Sequence, residues 1–152
     1  FIRLKPLCGS ADFTTGRFLL FEVSNGDVAT TSWWALRYDM AAQKWEFYVN
    51  NAGTSATATV AAPFTLNTEV KLGVRWTSSE GELGLPANTL SVFAAGAKGT
   101  DVTLATFPAV SGPLFWNRMA VDTIAAGLPM QLATLEVYQL PLSDQEHAQW
   151  AT

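Results

Sequence analysis

Apolar residues recur along this chain with a period of two. A strand buried on one face shows that period, because successive side chains point to opposite sides. The clearest case is residues 69–77, where Val70, Leu72, Val74 and Trp76 share one face and Lys71, Gly73 and Arg75 the other. Residues 33–39 place Trp34, Leu36 and Tyr38 opposite Trp33, Ala35 and Arg37. In residues 44–50, Trp45, Phe47 and Val49 oppose Glu46 and Tyr48, and the connection at 39–43 is of hairpin length. Residues 18–24 form a continuous apolar run that ends in the turn-forming Ser24-Asn25-Gly26-Asp27. Further strands are expected at 1–7, 56–62, 89–95, 101–106, 114–121 and 130–140, the last with Leu135 and Val137 in its apolar centre. One helix is expected from Ser143 to about Trp150. Ser143 and Glu146 stand at capping-box spacing, and Trp150 is placed to anchor the helix.

Short strands with evenly spaced turns and one terminal helical segment predict an all-β fold. The expected architecture is a two-sheet antiparallel β-sandwich, a jelly roll with one short C-terminal helix. The 152 residues are read as a single domain, long enough to fold around one core. Phe1 already lies in a strand pattern, so the chain is expected to be a module or processed form of a larger protein.

Composition narrows the function. Charged residues are 14% of the chain against roughly 25% for an ordinary domain, which predicts a neutral polar surface, part of it covered by a partner. The net charge is −4 and the nine Lys and Arg are scattered, which excludes the clustered cations of nucleic-acid binding. No apolar stretch is long enough for membrane insertion as a helix. Cys8 is the only cysteine and is read as a small buried apolar residue. A domain without a disulfide fits a virion component or a bacterial surface protein, so the expected location is an extracellular surface or a virion.

The order of segments resembles laminin-G-like domains of the concanavalin A-like lectin superfamily. The resemblance rests on KWEFYVN at 44–50, EVKLGVRWT at 69–77, TLSVFAAG at 89–96, LEVY at 135–138 and LSDQE at 142–146. It covers nearly the whole chain and implies glycan binding, protein adhesion or glycoside cleavage. Glycosidases of that superfamily carry an E-x-D-x-x-E pair of carboxylates, and the motif is missing here. His147 is the only histidine, expected to be solvent-exposed on the helix, so a Ser-His-Asp triad or a His-rich metal site is not expected. Many related domains hold a calcium ion at the sandwich rim, which makes Ca2+ the one cofactor to consider. Asn25 and Asp27 are the first candidate ligands, with Asn50, Asn51, Asp101 and Asp122 also near turns.

Six Trp and nine Phe are many for this length. The flat face of Trp stacks on sugar rings, and Tyr adds a polar tip. Trp33 and Trp34 are adjacent on a strand and must point to opposite faces, with Trp33 outward because it shares a face with Arg37. Trp45 and Trp76 are expected in the core. Trp33, Arg37, Tyr48, Arg75 and Trp116 are the candidate ligand-binding residues, and Arg75 is expected to face solvent. The reading is a non-catalytic adhesion or glycan-binding module that meets a surface glycan or protein. The alternatives are a structural assembly domain contacting neighbouring subunits, as in a phage virion, and a glycoside hydrolase or lyase.

Overall fold

The computed structural model describes residues 1–12, 16–24, 32–77, 81, 83–110, 114–116, 130–137 and 142–151. The strands are β1 (Ile2–Pro6), β2 (Arg17–Ser24), β3 (Trp33–Asp39), β4 (Lys44–Asn51), β5 (Thr54–Ala61), β6 (Val70–Trp76), β7 (Thr89–Ala94), β8 (Ala97–Lys98), β9 (Val102–Thr103), β10 (Leu114–Trp116) and β11 (Met130–Leu135). One helix, α1, spans Asp144–Ala151. Two antiparallel sheets result. One has the order β11-β1-β6-β7-β8, with β9 also paired to β7, and the other the order β10-β2-β3-β4-β5. This is the expected two-sheet sandwich with one short helix.

The alternating rows meet between the sheets. Leu36, Tyr38, Trp45, Phe47, Val49, Ala58 and Val60 from one sheet pack against Ile2, Leu4, Val70, Leu72, Leu90, Val92 and Ala94 from the other. Tyr38 lies edge-on to Trp45 and Phe64, with ring centroids 4.7 and 4.8 Å away. Burying these rings removes well over 100 Å² of apolar surface each from water, which makes them the largest single contributors to the core. Cys8 is buried at its margin, as expected, and burial pushes its thiol above the usual range, helped by Asp12.

Local chemistry sets the register. The β4–β5 hairpin turns on Ala52 and Gly53, both at positive φ (48° and 92°), as a two-residue turn matching the strand twist requires. In β2 a register shift between Leu19 and Phe21 lets Leu20 and Phe21 both join the core. At the helix start Ser143 Oγ accepts from the Glu146 amide at 3.3 Å, and Glu146 Oε2 accepts from the Ser143 amide at 2.8 Å. This is the expected capping box.

Several expectations are corrected. The strand expected over 130–140 is ordered as β11 only to Leu135. Among the described residues it is an edge strand, paired on one side by β1, and Leu135 is exposed and Val137 82% exposed rather than central. Residues 101–106 yield only the two-residue β9, because the chain beyond it bonds to asparagine side chains instead of a ladder. His147 is buried, not exposed. Its ring stacks on Phe93 at 3.8 Å and lies 4.5 Å from Phe1, because α1 lies over the outer face of the six-stranded sheet. Trp150 is the anchor expected, stacked on Phe1 at 4.3 Å.

Candidate functional site

Directly paired residues of adjacent strands share a face, so the register defines the outer surface of the five-stranded sheet. Along β3 and β4 the outward pairs are Trp33 with Asn50, Ala35 with Tyr48, Arg37 with Glu46, and Asp39 with Lys44. Trp33 therefore faces outward, as its company with Arg37 predicts. Its ring lies 4.7 Å from that of Tyr48, and the Arg37 guanidinium sits 4.1 Å over the opposite partner of that cluster, the Tyr48 ring itself. Trp33, Tyr48 and Arg37 thus form one half-buried aromatic and cationic patch. Ala35, opposite Tyr48, is fully buried beneath these side chains.

A ladder of charges borders the patch. Glu46 Oε2 accepts from Arg37 Nε at 2.7 Å and from Arg17 Nε at 3.1 Å, and Lys44 Nζ stands 3.6 Å from Glu46 Oε1. Arg17 also reaches Asp39 at 2.8 Å. The Arg37 side chain is only 12% exposed. Burial pulls its guanidinium below the ordinary value and Glu46 opposes that shift, so the group remains a cation held in place. Three cations, Arg17, Arg37 and Lys44, share two carboxylates in this ladder. Toward β2 the same face is closed, with Leu19, Glu22 and Ser24 buried, while Tyr48, Thr57 and Ser55 lie nearer solvent toward β4 and β5.

The ladder residues Arg17, Lys44 and Glu46 were not among the sequence-level candidates. Their signal was present in the hairpin: pairing Asp39 with Lys44 across a short turn necessarily places Arg37 opposite Glu46.

Arg75 does not join this patch. It lies on the outer face of the other sheet, buried beneath α1 with a side chain 2% exposed, and so does not face solvent. It donates to Ser91 Oγ at 3.0 Å and the Leu142 carbonyl at 2.9 Å, and pairs with Asp144 at 2.8 Å. Its guanidinium stands 5.3 Å from the Phe93 ring. Trp45 is in the core as expected, but Trp76 is 40% exposed. It is the last residue of β6, with Trp34 and Phe47 of the other sheet each 6.0 Å away. The backbone of Trp116 is on β10; its side chain falls outside the described part of the structure.

The calcium candidates Asn25, Asp27 and Asp122 also lie outside the described residues. Asn51 is occupied by Ser32 and the Thr106 carbonyl, and Asp101 by Ser91 and Lys98. Among the described residues no three His, Cys, Asp or Glu side chains converge on a point where they could hold a metal ion.

No protein family matches the chain, and no curated protein does. Solved structures do. The carbohydrate-binding module CBM40 of the Ruminococcus gnavus IT-sialidase, bound to α2,6-sialyllactose, is similar with a TM-score of 0.66. The same module bound to α2,3-sialyllactose gives 0.64, and the module alone 0.61. Each alignment covers 99% of this chain at 16% identity, and 80% of the neighbour in the two complexes. At that identity the likeness establishes a fold: a lectin-like sandwich of two antiparallel sheets.

Proposed function

We propose that this chain is a non-catalytic carbohydrate-binding module that takes an acidic glycan on the outer face of its five-stranded sheet. The observation that carries the reading is the Trp33–Tyr48–Arg37 patch, in which a guanidinium lies over a ring beside a tryptophan, bordered by the partly exposed cations Arg17 and Lys44. Aromatic faces suit the C–H face of a pyranose. A guanidinium fixed by its own ion pair and ring contact suits a sugar carboxylate, since little side-chain freedom is lost on binding. Structural neighbours of the same fold are bound to sialyllactose, a glycan that carries one carboxylate, which supports the choice.

The absence of catalysis is part of the proposal. Asp39 and Glu46, the carboxylates of the ladder, are engaged by Arg17, Arg37, Lys44 and the Ala42 amide. Carboxylates already occupied by such partners are not free to meet a glycosidic oxygen or to position a water. The resemblance to laminin-G-like domains and display at an extracellular surface fit the same role.

Calorimetric titration with 3′-sialyllactose tests the site. Binding is expected for the native chain and a loss of at least about tenfold in affinity for Trp33→Ala and Arg37→Met, as for any hot-spot aromatic or arginine. Lack of binding to 3′-sialyllactose and to polygalacturonate alike sinks the acidic-glycan reading.

A second reading, a structural assembly domain, is favoured by β11. This edge strand exposes Leu132 and Leu135, and Val137 follows it. An open apolar edge is a template for pairing with another chain. Sedimentation discriminates: a concentration-dependent oligomer supports assembly, and a monomer throughout removes that reading.

A further inference from the structure

Trp76 occupies the last position of β6 with Phe107 stacked on it, ring centroids 5.6 Å apart and planes 14° from parallel. Trp34 and Phe47 stand behind, each 6.0 Å from Trp76. The segment that carries Phe107 is held by two asparagine side chains. Asn88 Nδ2 donates to the Ala105 carbonyl at 3.2 Å, and Asn88 Oδ1 accepts from the Phe107 amide at 3.3 Å. Asn51 Nδ2 donates to the Thr106 carbonyl at 3.0 Å, while Asn51 Oδ1 accepts from the Ser32 hydroxyl at 3.1 Å. The Leu104 amide adds a bond to the Asn88 carbonyl at 3.1 Å. Asn88 itself has φ 53°, a conformation that asparagine tolerates better than most residues.

These bonds fix an aromatic ring against a tryptophan that still presents 40% of its surface to solvent. A ring needed only for packing gains most when it is fully covered. Here the support is rigid and the surface remains open, which is the arrangement of a binding platform.

We propose a second carbohydrate subsite at this end of the sandwich, with Trp76 and Phe107 as its platform, for an uncharged sugar ring. The chemistry differs from that of the sheet face. Ser32, Asn51, Trp76, Asn88 and Phe107 are all neutral, whereas the sheet face carries a charge ladder. Aromatic C–H contact suits a neutral pyranose, and none of these residues offers a charge to a carboxylate. The subsite stands without the acidic-glycan reading, because it shares no residue with the Trp33 patch.

The six tryptophans give the measurement its resolution. In 1H–15N spectra of the whole chain, indole signals assigned by single Trp→Phe changes report each ring separately. Titration with lactose, cellotriose and maltotriose to about 10 mM, the range of weak single-subsite binding, is expected to shift the Trp76 indole and leave that of Trp33 in place. Phe107→Ala should weaken that binding at least about fivefold, the usual scale for loss of one stacked ring. If none of the three sugars moves Trp76, or if they move Trp33 instead, the subsite does not exist as proposed. Should 3′-sialyllactose leave Trp33 unmoved while lactose shifts Trp76, the sheet-face reading fails and this one stands.

Discussion

Each outer face of the sandwich carries an arginine near an aromatic ring, Arg37 over Tyr48 on one sheet and Arg75 beside Phe93 on the other. Their neighbourhoods differ in one respect. Arg75 is roofed by α1, whose Asp144 pairs with it and whose His147 stacks on Phe93. Arg37 takes its carboxylate from the adjacent strand, so Glu46 holds it from the side, and among the described residues no helix lies over it. Two similar strand pairs thus become a sealed face and a half-open one. What decides between them is a single capped turn of sequence, the LSDQE segment that starts the helix. A strand pattern alone reports that Arg75 leaves the core; it does not report what meets it there.

The largest test of the roof is its pH dependence. Burial, with Arg75 nearby, lowers the His147 pKa to about 4. The unfolded chain has an ordinary histidine near 6.5, so between those values the unfolded state binds more protons. Stability is therefore full above about pH 6.5, falls as the pH drops toward 4, and loses nothing further from this group below that. The loss is of the order of 3 kcal/mol across the window. Asp144 and Glu146, both shifted down from ordinary carboxylate values, lose their contributions as the pH falls through the unfolded values of 3.8 and 4.5. They overlap only the acid end of this window, and do so equally in the native chain and in His147→Gln. Urea midpoints at pH 7 and 4.5 should differ markedly for the native chain and much less for His147→Gln. Equal shifts in both would mean that His147 is not sealed.

Gly73 sets the clearance of that roof. A Cβ there would stand 2.8 Å from His147 Nδ1 and 3.2 Å from the Phe1 ring. Gly73→Ala should cost about 2 kcal/mol through overpacking, seen as a lowered melting temperature. Sialyllactose binding, on the opposite sheet, should be unchanged. Ser143→Ala removes the reciprocal cap at the start of the helix and should cost about 1 kcal/mol by the same measurement.

The contrast also shows which features the sequence can carry. Row periodicity suffices for the sandwich, the core and the outward Trp33, because alternation within one strand is a local property. The capping box and the Trp150 anchor are equally local. His147 and Arg75 were misplaced because their burial comes from a helix packed over a distant sheet. Trp76 shares the inward face of its row but is the last residue of β6, and alternation does not report how far burial extends along a strand. For Leu135 and Val137, apolar character marks a strand but not whether that strand is central or at an edge. The Arg37–Glu46 pair lay between these cases, legible once the hairpin register was followed across the turn.

Lys44 and Lys98 give the smallest and sharpest test. They are nearly matched, with side chains 33% and 28% exposed and each facing carboxylates on an outer face. Lys98 makes the shorter bonds, 2.9 Å to Asp101 and 2.8 Å to Asp144, yet partly exposed pairs of this kind contribute little in water. Lys98→Met and Lys44→Met should each shift stability by less than about 0.5 kcal/mol. Their effects on binding should part. Lys44 borders the Trp33–Tyr48–Arg37 patch with a partly exposed positive charge, so Lys44→Met should weaken 3′-sialyllactose binding about two- to fivefold and reduce its salt dependence. Lys98→Met should do neither, since α1 stands over the sheet it serves. Equal binding losses in the two variants would show that net charge, rather than the open face, governs the interaction.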